Sequence, residues 1–448
     1  MDKLKLIILV LPFWLIFYSA IPPFQTPDEQ GHYNFVQSLA DLNYPSFPKA
    51  EKKCDSSEVR DVTNYYEGNK IPFNEQRIVG KTNIIPNQKY FEEINCTAQA
   101  NHPPLYYATS AIFYKTATIL DFFGTTRFYF TRLSSLVFYI IFIIFAYKSF
   151  SLLFSRKTSL FLSITVGIQP TILMLAVGIN PEIAAVSLAT ASFYFIIKYL
   201  KAGAFTYRNI LFLALLSAGA VLSKLTGAIV IPFFLFSILI SNSKVVTSIK
   251  KTLVYLFLML FFISPWLLLN WKVNSKLALD NLDFIYPKNL RAPISHKEMV
   301  IGVLKDFRNA FLTIPGRIGW LDTPLFSFLA GSEVIVLFFS FIIGIFATLK
   351  AGIKTVTGKI LSASIVFVLA VLIFNLYLAI SMQLKLGIGG LQGRYFIIGT
   401  VPFLIVTTYG LAKLVRVSDE TTSKVILNIS ILIYFIFVLF NFIPRYYV

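Results

Sequence analysis

Residues 4–21 read LKLIILVLPFWLIFYSAI; they follow Lys3 and precede the more polar run PPFQTPDEQGHY at 22–33. An apolar run of this length can cross a bilayer as a helix. Because no small-residue cleavage site follows it, the segment predicts a retained first transmembrane helix and not a removed signal peptide.

The composition extends this pattern along the chain. Of the 448 residues, 56% are hydrophobic and 14% are charged, whereas soluble domains carry roughly 25% charged residues. These fractions exclude a soluble enzyme, a disordered protein and a small disulfide-rich scaffold. We therefore expect an all-α polytopic membrane protein embedded in the lipid bilayer.

Ten further apolar segments predict membrane spans. They lie near 128–152, 158–179, 182–200, 209–223, 225–241, 252–270, 333–349, 360–381, 395–412 and 425–443. Together with the first helix they give about 11 transmembrane helices, within a range of roughly 10 to 13. The predicted organisation is a first helix at 1–21, a large extracytoplasmic loop at 22–127, a central module of spans at 128–270, a second extracytoplasmic loop at 271–331 and C-terminal spans at 332–448.

The positions of lysine and arginine predict the orientation. We place residues 104–123 in the outer interface as an amphipathic helix, because the predicted inner segments then carry 16 basic residues. These inner segments are 1–5, 153–158, 198–208, 241–251, 349–359 and 412–424. Since cytoplasmic loops are enriched in basic residues, we expect a multi-pass cell-membrane protein with a cytoplasmic N-terminus and an extracytoplasmic C-terminus. The formal net charge of +18 then reflects orientation, and no nucleic-acid partner is expected.

The two cysteines, Cys54 and Cys96, fall in the same predicted outer loop. The outer face of a membrane permits oxidation, so we expect a Cys54–Cys96 disulfide; two free thiols are the alternative. No CxxC pair is present, so a zinc ribbon or an iron–sulfur site is not supported.

The first polar cluster directly follows the first predicted span. It contains Asp28, Glu29 and His32, and a short helix would place Asp28 and His32 on one face because they are four residues apart. A carboxylate at this place could accept a proton from an attacking hydroxyl. An ordinary helix cap at Asp28 explains the same pattern.

A second cluster closes the first outer loop with the sequence NHPPLYY. Its prolines favour a helix start and its tyrosines suit a membrane interface, and its candidate binding residues are Asn101, His102 and Tyr106. His102 could contact a phosphate or be an ordinary surface histidine. Arg132, near the outer end of the next span, could bind the same anion or extend towards the interface.

Glu182 lies in the predicted outer turn GINPE with Asn180, and it is the only acidic residue between Asp121 and Asp280. An isolated carboxylate near membrane depth is commonly functional, although a favourable interaction with the helix dipole also explains it. Lys224, in SKLTG, lies at another predicted outer turn, although lysine and arginine are otherwise concentrated in the predicted inner segments. It could bind an anion such as a phosphate, or pair with Glu182 or Asp28.

Two later motifs complete the set of candidates. The second outer loop contains GRIGWLDTP with Arg317, Trp320 and Asp322, and QGRYF before a later span contains Gln392 and Arg394. Arginine can hold a phosphate with two hydrogen bonds, and Trp320 could stack on a sugar ring. Anchoring at the interface is the alternative for these side chains.

All these polar residues fall on one predicted side of the membrane. Carboxylates and cations that converge in one pocket would suit an anionic lipid whose phosphate is a leaving group, because cations stabilise the charge that develops on it. We therefore expect Asp28 and Arg394 to lie close together in a shared extracytoplasmic pocket.

The six motifs, in this order, resemble the GT-C superfamily of integral-membrane glycosyltransferases that use polyprenyl-phosphate sugars. More closely, they resemble a bacterial branch of predicted membrane proteins of unknown function. The resemblance implies a GT-C-like fold in which Asp28, with Glu29 beside it, is catalytic. It also places Glu182 at a second acidic position, where aspartate is more usual, and implies that basic residues such as Lys224, Arg317 and Arg394 grip the lipid phosphate.

The resemblance implies a hexosyl or pentosyl transferase that moves a sugar from a polyprenyl-phosphate-linked donor to a hydroxyl of a cell-surface glycan, lipid or protein. Some members of the superfamily use a divalent metal. With so few acids here we assign no metal ligands, and a divalent cation remains an alternative. A transporter or flippase for lipid-linked sugars and a non-catalytic component of glycan assembly are the competing functions. The apolar middle of the predicted spans favours the enzyme.

Overall fold

The computed structural model is almost entirely helical, which confirms the expected fold class. It describes residues 2–41, 102–203, 205–241, 244–274, 295–318, 323–324, 327–386 and 390–444. In these ranges the only sheet is a short antiparallel ladder of β1 (Arg317–Ile318) and β2 (Thr323–Pro324), with Arg317 opposite Pro324 and Ile318 opposite Thr323. Four predictions lie outside the described residues: the Cys54–Cys96 disulfide, Asn101, Trp320 and Asp322.

The helices of the first half surround the residues of the candidate site. They are α1 (Asp2–Ala20), α2 (Glu29–Ala40), α3 (Leu105–Ile119), α4 (Gly124–Phe150), α5 (Arg156–Gly167), α6 (Pro170–Val177), α7 (Pro181–Ala202), α8 (Tyr207–Ser223) and α9 (Val230–Leu239). A short 3-10 helix, Leu225–Ile229, joins α8 to α9.

The second half adds the helices α10 (Val245–Asn274), α11 (His296–Thr313), α12 (Ser327–Ala351), α13 (Val356–Leu386), α14 (Thr400–Val415) and α15 (Asp419–Phe437). A 3-10 helix, Gly393–Gly399, precedes α14, and a π-helical turn, Val438–Phe442, follows α15.

Each predicted span lies on an apolar helix or on a pair of helices. Within the described ranges, seven helices are long and apolar enough to cross a membrane, or eight if the bent pair α5–α6 is one span. Three more spans coincide with shorter apolar helices at Leu4–Ala20, Tyr207–Ser223 and Leu225–Leu239. The total of 11 spans stays a prediction.

Local sequence signals explain where several helices begin. Asn180 caps α7 by accepting a hydrogen bond from the Glu182 backbone, and Pro181 occupies the first helical position. Ser295 and Glu298 form a reciprocal capping box at the start of α11. Gly203 ends α7 with a φ of 64°, a conformation that glycine adopts without steric cost.

The predicted span at 158–179 is bent and not straight. The axes of α5 and α6 differ by 64°, and the break falls next to Pro170, which has no backbone N–H to continue the helix. The α6 segment is anchored to α1, because the Trp14 indole donates a hydrogen bond to the Ala176 carbonyl over 3.0 Å. Beyond α6, the turn before Glu182 lies against the start of α2, where the Ile179 N–H donates a hydrogen bond to Glu29.

Predicted basic segments meet at one end of the helix bundle. Lys157 lies 3.2 Å from Glu420, and Lys201 donates a hydrogen bond to the Leu152 carbonyl. The polar candidates of the outer turns lie at the opposite end. Helix α3 packs beside α4, with Ser110 bonded to Ser134 over 2.8 Å, and it also packs against α2 and α8; its predicted place in the outer interface stays a prediction.

Candidate functional site

Asp28 lies at the start of α2, but it does not cap that helix. Its φ is 63°, in the left-handed region, and its side chain makes no capping hydrogen bond. Instead its Oδ2 accepts a hydrogen bond from Nη2 of Arg394 over 2.8 Å. The cap interpretation of Asp28 is therefore wrong, and the expected closeness of Asp28 and Arg394 is found.

The Asp28 carboxylate is ionised and reachable. Its side chain is 42% exposed. Burial alone would raise the pKa of Asp28, but the surrounding positive charges, led by Arg394, outweigh burial and lower the pKa to about 2. Asp28 is thus an accessible anion held by a buried cation.

Arg394 links the two site carboxylates. Its side chain is 4% exposed, and its Nε lies 3.4 Å from Oε2 of Glu182 while Nη2 holds Asp28. Its Nη1 is buried and has no hydrogen-bond partner among the described residues. Its Nε likewise makes no hydrogen bond there, so this buried cation has unused donors that are suited to bind an additional anion.

The backbone before Arg394 is fixed by the end of α11. The Gly393 N–H donates to Oγ1 of Thr313 over 2.9 Å. A Cβ at Gly393 would lie 2.6 Å from the Thr313 carbonyl carbon, so only glycine allows this close approach. The end of α11 therefore positions Arg394 through its contacts with the Gly393 backbone.

Lys224 completes the charged cluster. Its backbone is extended between α8 and the following 3-10 helix, and its Nζ lies 2.8 Å from Oε1 of Glu182. The salt bridge to Glu182, which is the alternative to a phosphate contact for Lys224, is present, and the Lys224 side chain keeps 15% exposure. The Tyr395 ring centre lies 5.2 Å from Nζ of Lys224 and 5.5 Å from Cζ of Arg394, so one aromatic ring contacts both cations.

Glu29 differs from its neighbour Asp28, because it forms a buried ion pair with Arg132. Both side chains are 0% exposed, and two hydrogen bonds of 2.8 Å join the guanidinium to the carboxylate. Oε1 of Glu29 also accepts the Ile179 N–H. This geometry does not fit the predicted catalytic role of Glu29 or a direct substrate contact by Arg132; both residues position the site.

Arg132 also donates hydrogen bonds to the carbonyls of Ile21 and Pro22. One guanidinium thus connects the end of α1, the start of α2 and, through Glu29, the turn before α7. Asp28 and Glu182 belong to these segments, so the pair fixes the relative positions of the two acids.

Tyr106 and Asn180 support the same turn. The Tyr106 hydroxyl accepts the Asn180 N–H over 2.9 Å and lies 2.7 Å from Oγ of Ser135, which donates to the Gly178 carbonyl. Gly178 packs tightly, because a Cβ there would lie 2.3 Å from Oγ1 of Thr26. Tyr106 and Asn180, predicted as binding residues, therefore shape the turn that presents Glu182.

His32 and His102 lie beside the charged cluster, with ring centres 5.7 Å apart, and Nδ1 of His32 lies 2.7 Å from the Tyr107 hydroxyl. Burial lowers the pKa of His32 well below its usual value, and the nearby His102 lowers it further because protons on both rings would repel each other. Burial and Lys224 lower the pKa of His102 to about 3. His102 is therefore neutral at pH 7 and adds no positive charge to the cluster, so it can contact a phosphate only through hydrogen bonds.

Gln392 and Arg317 lie on the segments that adjoin Arg394. Oε1 of Gln392 is buried without a hydrogen-bond partner in the described part of the chain. The structure describes the backbone of Arg317 in β1, and the ladder packs against α6. A phosphate contact by Arg317 stays a prediction.

The donor set around the acids does not fit a divalent cation. Among the described residues, no three His, Cys, Asp or Glu side chains converge in a way that could hold a metal ion. Asp28 and Glu182 are each bound by a positive side chain, and an incoming cation would have to displace it.

Sequence reasoning missed Tyr107, Tyr395 and Thr313. Tyr107 directly follows the candidate Tyr106 in NHPPLYY, and Tyr395 directly follows the candidate Arg394 in QGRYF. Their position next to a candidate residue was the only sequence signal for them. Thr313 carries no such signal, because its role depends on the approach of α11 to Gly393.

The apolar helices and their arrangement define a polytopic membrane protein with a GT-C-like fold. The fold matches the archaeal oligosaccharyltransferase AglB from Archaeoglobus fulgidus in complex with an inhibitory peptide and a dolichol-phosphate, with a TM-score of 0.52 and 11% identity. The match covers 97% of this chain and 55% of that chain, so the protein spans about half the length of the transferase. A second oligosaccharyltransferase structure from the same organism, in complex with Zn and sulfate, matches with a TM-score of 0.46 and 11% identity over 96% of this chain and 52% of that chain.

The chain belongs to the family described as predicted membrane protein DUF2142, whose profile matches residues 11–406. The range spans all six motifs, and the expected membership in a branch of unknown function is confirmed. A search of curated proteins with this sequence gave no match.

Proposed function

We propose that the protein is a glycosyltransferase that moves a sugar from a polyprenyl-phosphate carrier to an acceptor hydroxyl at the extracytoplasmic face. The observation that supports this most directly is the contact between the accessible carboxylate of Asp28 and the buried guanidinium of Arg394. The dolichol-phosphate bound by the archaeal transferase with the same fold supports a lipid-phosphate donor.

The cations of the cluster would hold the phosphate of the donor. Arg394 offers the unused donor group Nη1, and Lys224 is partly exposed beside it. As the bond between the sugar and the phosphate breaks, the leaving phosphate gains negative charge, which these fixed cations stabilise without reorganisation. Glu182 keeps both cations in place and does not touch the sugar.

Asp28 would act as the general base. The acceptor oxygen attacks the anomeric carbon, the phosphate leaves with the bonding electrons, and the hydroxyl proton passes to Asp28, with inversion at the sugar. A carboxylate with a pKa of about 2 is a weak base. A phosphate bound at Nη1 of Arg394 would partly neutralise the positive charge that Asp28 faces, and this change would raise the proton affinity of Asp28 when the donor is present.

A transporter or a non-catalytic assembly component is the competing proposal. A transporter needs polar groups along a route through the bilayer, whereas the charged candidates here gather at one end of the helices. The acceptor is a cell-surface glycan, lipid or protein, and the donor sugar is a hexose or a pentose.

The test compares the surface glycans of a deletion strain complemented with the wild type or with Asp28→Asn. Both Asp28 and the exposed Asp121 have a positive φ, which asparagine tolerates, so Asp121→Asn is a matched control. We expect the wild type and Asp121→Asn to restore a sugar modification. Asp28→Asn should lower the modification by about 10²–10⁴-fold in rate, with normal protein levels in the membrane.

Mass spectrometry of the released glycans measures the outcome. Full modification by Asp28→Asn would remove the general-base role and favour the transporter or the assembly component.

A further inference from the structure

We infer that this site carries its own fixed cation: the Arg394 guanidinium, held between Asp28 and Glu182, takes the place in which a divalent metal would bridge two carboxylates. The cation that faces the donor phosphate would then be part of the protein. The neutralisation of Asp28 and Glu182 by Arg394 does not depend on which sugar is transferred.

The Arg394 guanidinium lies between the two carboxylates. Nη2 of Arg394 lies 2.8 Å from Asp28 and its Nε lies 3.4 Å from Glu182. Magnesium takes oxygen ligands at about 2.0–2.1 Å in octahedral geometry. A metal between these two acids would therefore need the volume that the guanidinium occupies.

The charges of the cluster already balance. Asp28 and Glu182 carry two negative charges, and Arg394 and Lys224 carry two positive charges, so the cluster is neutral without a metal ion. Glu182 is 3% exposed and is contacted by both cations. An added divalent cation would leave an excess of positive charge in a poorly solvated place, which is energetically costly.

Arg394 is also held in place on both sides of its backbone. Its backbone is fixed by the contact between Gly393 and Thr313, and its guanidinium lies near the Tyr395 ring. Removal of the guanidinium, in contrast, would leave two carboxylates facing a small space. We therefore expect that deleting the Arg394 side chain converts the pair of acids into a divalent-cation site.

The experiment measures Mn²⁺ binding by electron paramagnetic resonance on the full-length protein, purified in detergent and stripped with EDTA. We expect Arg394→Ala to bind one Mn²⁺ at least tenfold more tightly than the wild type. Arg394→Lys, which keeps the charge, should behave as the wild type does. The double variant Arg394→Ala/Asp28→Asn should lose the gained binding, which assigns it to this site.

Two results would overturn the inference. One is saturable Mn²⁺ binding by the wild type that Asp28→Asn abolishes, and this arm remains informative if Arg394→Ala does not fold. The other is a folded Arg394→Ala protein that binds Mn²⁺ no better than the wild type. Neither result depends on glycan transfer, so a failure here is distinguishable from a failure of the proposed function.

Discussion

Asp28 and Glu29 are neighbours in the sequence, yet their surroundings differ. The Asp28 side chain is 42% exposed, whereas Glu29 is completely buried against Arg132. The sequence predicted that this pair of acids matters, but it could not separate the two roles. The separation depends on Arg132, which lies 103 positions further along the chain.

The ion pair between Glu29 and Arg132 gives a stability prediction. Arg132→Met leaves a buried carboxylate without its cation, and breaking a buried pair in this way costs about 3–5 kcal/mol. We expect a markedly lower apparent Tm in detergent, measured by the fluorescence of thermal unfolding.

The control for this prediction is the double variant Glu29→Gln/Arg132→Met, which removes both charges and should recover part of the loss. An unchanged Tm for Arg132→Met alone would show that the pair does not hold the site together.

The two buried histidines predict how stability depends on pH. The low pKa values of His32 and His102 mean that the folded protein binds fewer protons than the unfolded chain, where histidine titrates near 6.5. The histidine contribution to stability is therefore present above about pH 6.5 and is lost as the pH falls towards their folded values.

We expect the apparent Tm to fall between pH 7 and pH 5, and to fall less in the variant His32→Gln/His102→Gln. Thermal unfolding at both pH values measures this difference. An equal fall in both proteins would assign the pH dependence to other groups.

At the scale of elements, the apolar periodicity and length of the segments predicted where the helices lie. The bend between α5 and α6 was not predicted, although Pro170 was a visible signal. The left-handed Asp28 could not be predicted either, because tertiary contacts with Arg394 compensate for a backbone conformation that its own sequence does not favour.

The connection between α8 and α9 gives a prediction at this scale. A Cβ at Gly227 would lie 2.4 Å from the backbone of Ala220, and backbone atoms cannot rotate away. Gly227→Ala should therefore displace the Lys224 segment and lower the apparent Tm.

Gly331→Ala is the matched control, because its Cβ would meet only Leu312 at 3.8 Å, an ordinary contact; its Tm should stay within a few degrees of the wild type. Equal Tm values for both variants would contradict the packing described at Gly227.

At the scale of the whole molecule, the sequence predicted that polar turns gather at one end, but not which side chains would pair. Asp28 and Arg394 are 366 positions apart, and no local pattern reports such a contact. The prediction came instead from topology, since alternate turns between spans must share a face.

Orientation is tested by cysteine accessibility in a background that carries Cys54→Ser and Cys96→Ser. His296 and Thr355 are both exposed, and we predict that the first lies outside and the second inside. A membrane-impermeant thiol reagent added to intact cells should label His296→Cys and not Thr355→Cys. Labelling of Thr355→Cys from outside would reverse the proposed topology.

The central claim, that the charged cluster binds a lipid phosphate, is tested most directly by the binding of a polyprenyl phosphate to the purified protein, followed by native mass spectrometry. A charge-assisted hydrogen bond contributes about 1.5–3 kcal/mol, so Lys224→Ala should weaken binding by about tenfold or more. Lys354→Ala, an exposed lysine at the opposite end, should bind as the wild type does. Equal affinity of the wild type and Lys224→Ala would contradict the account.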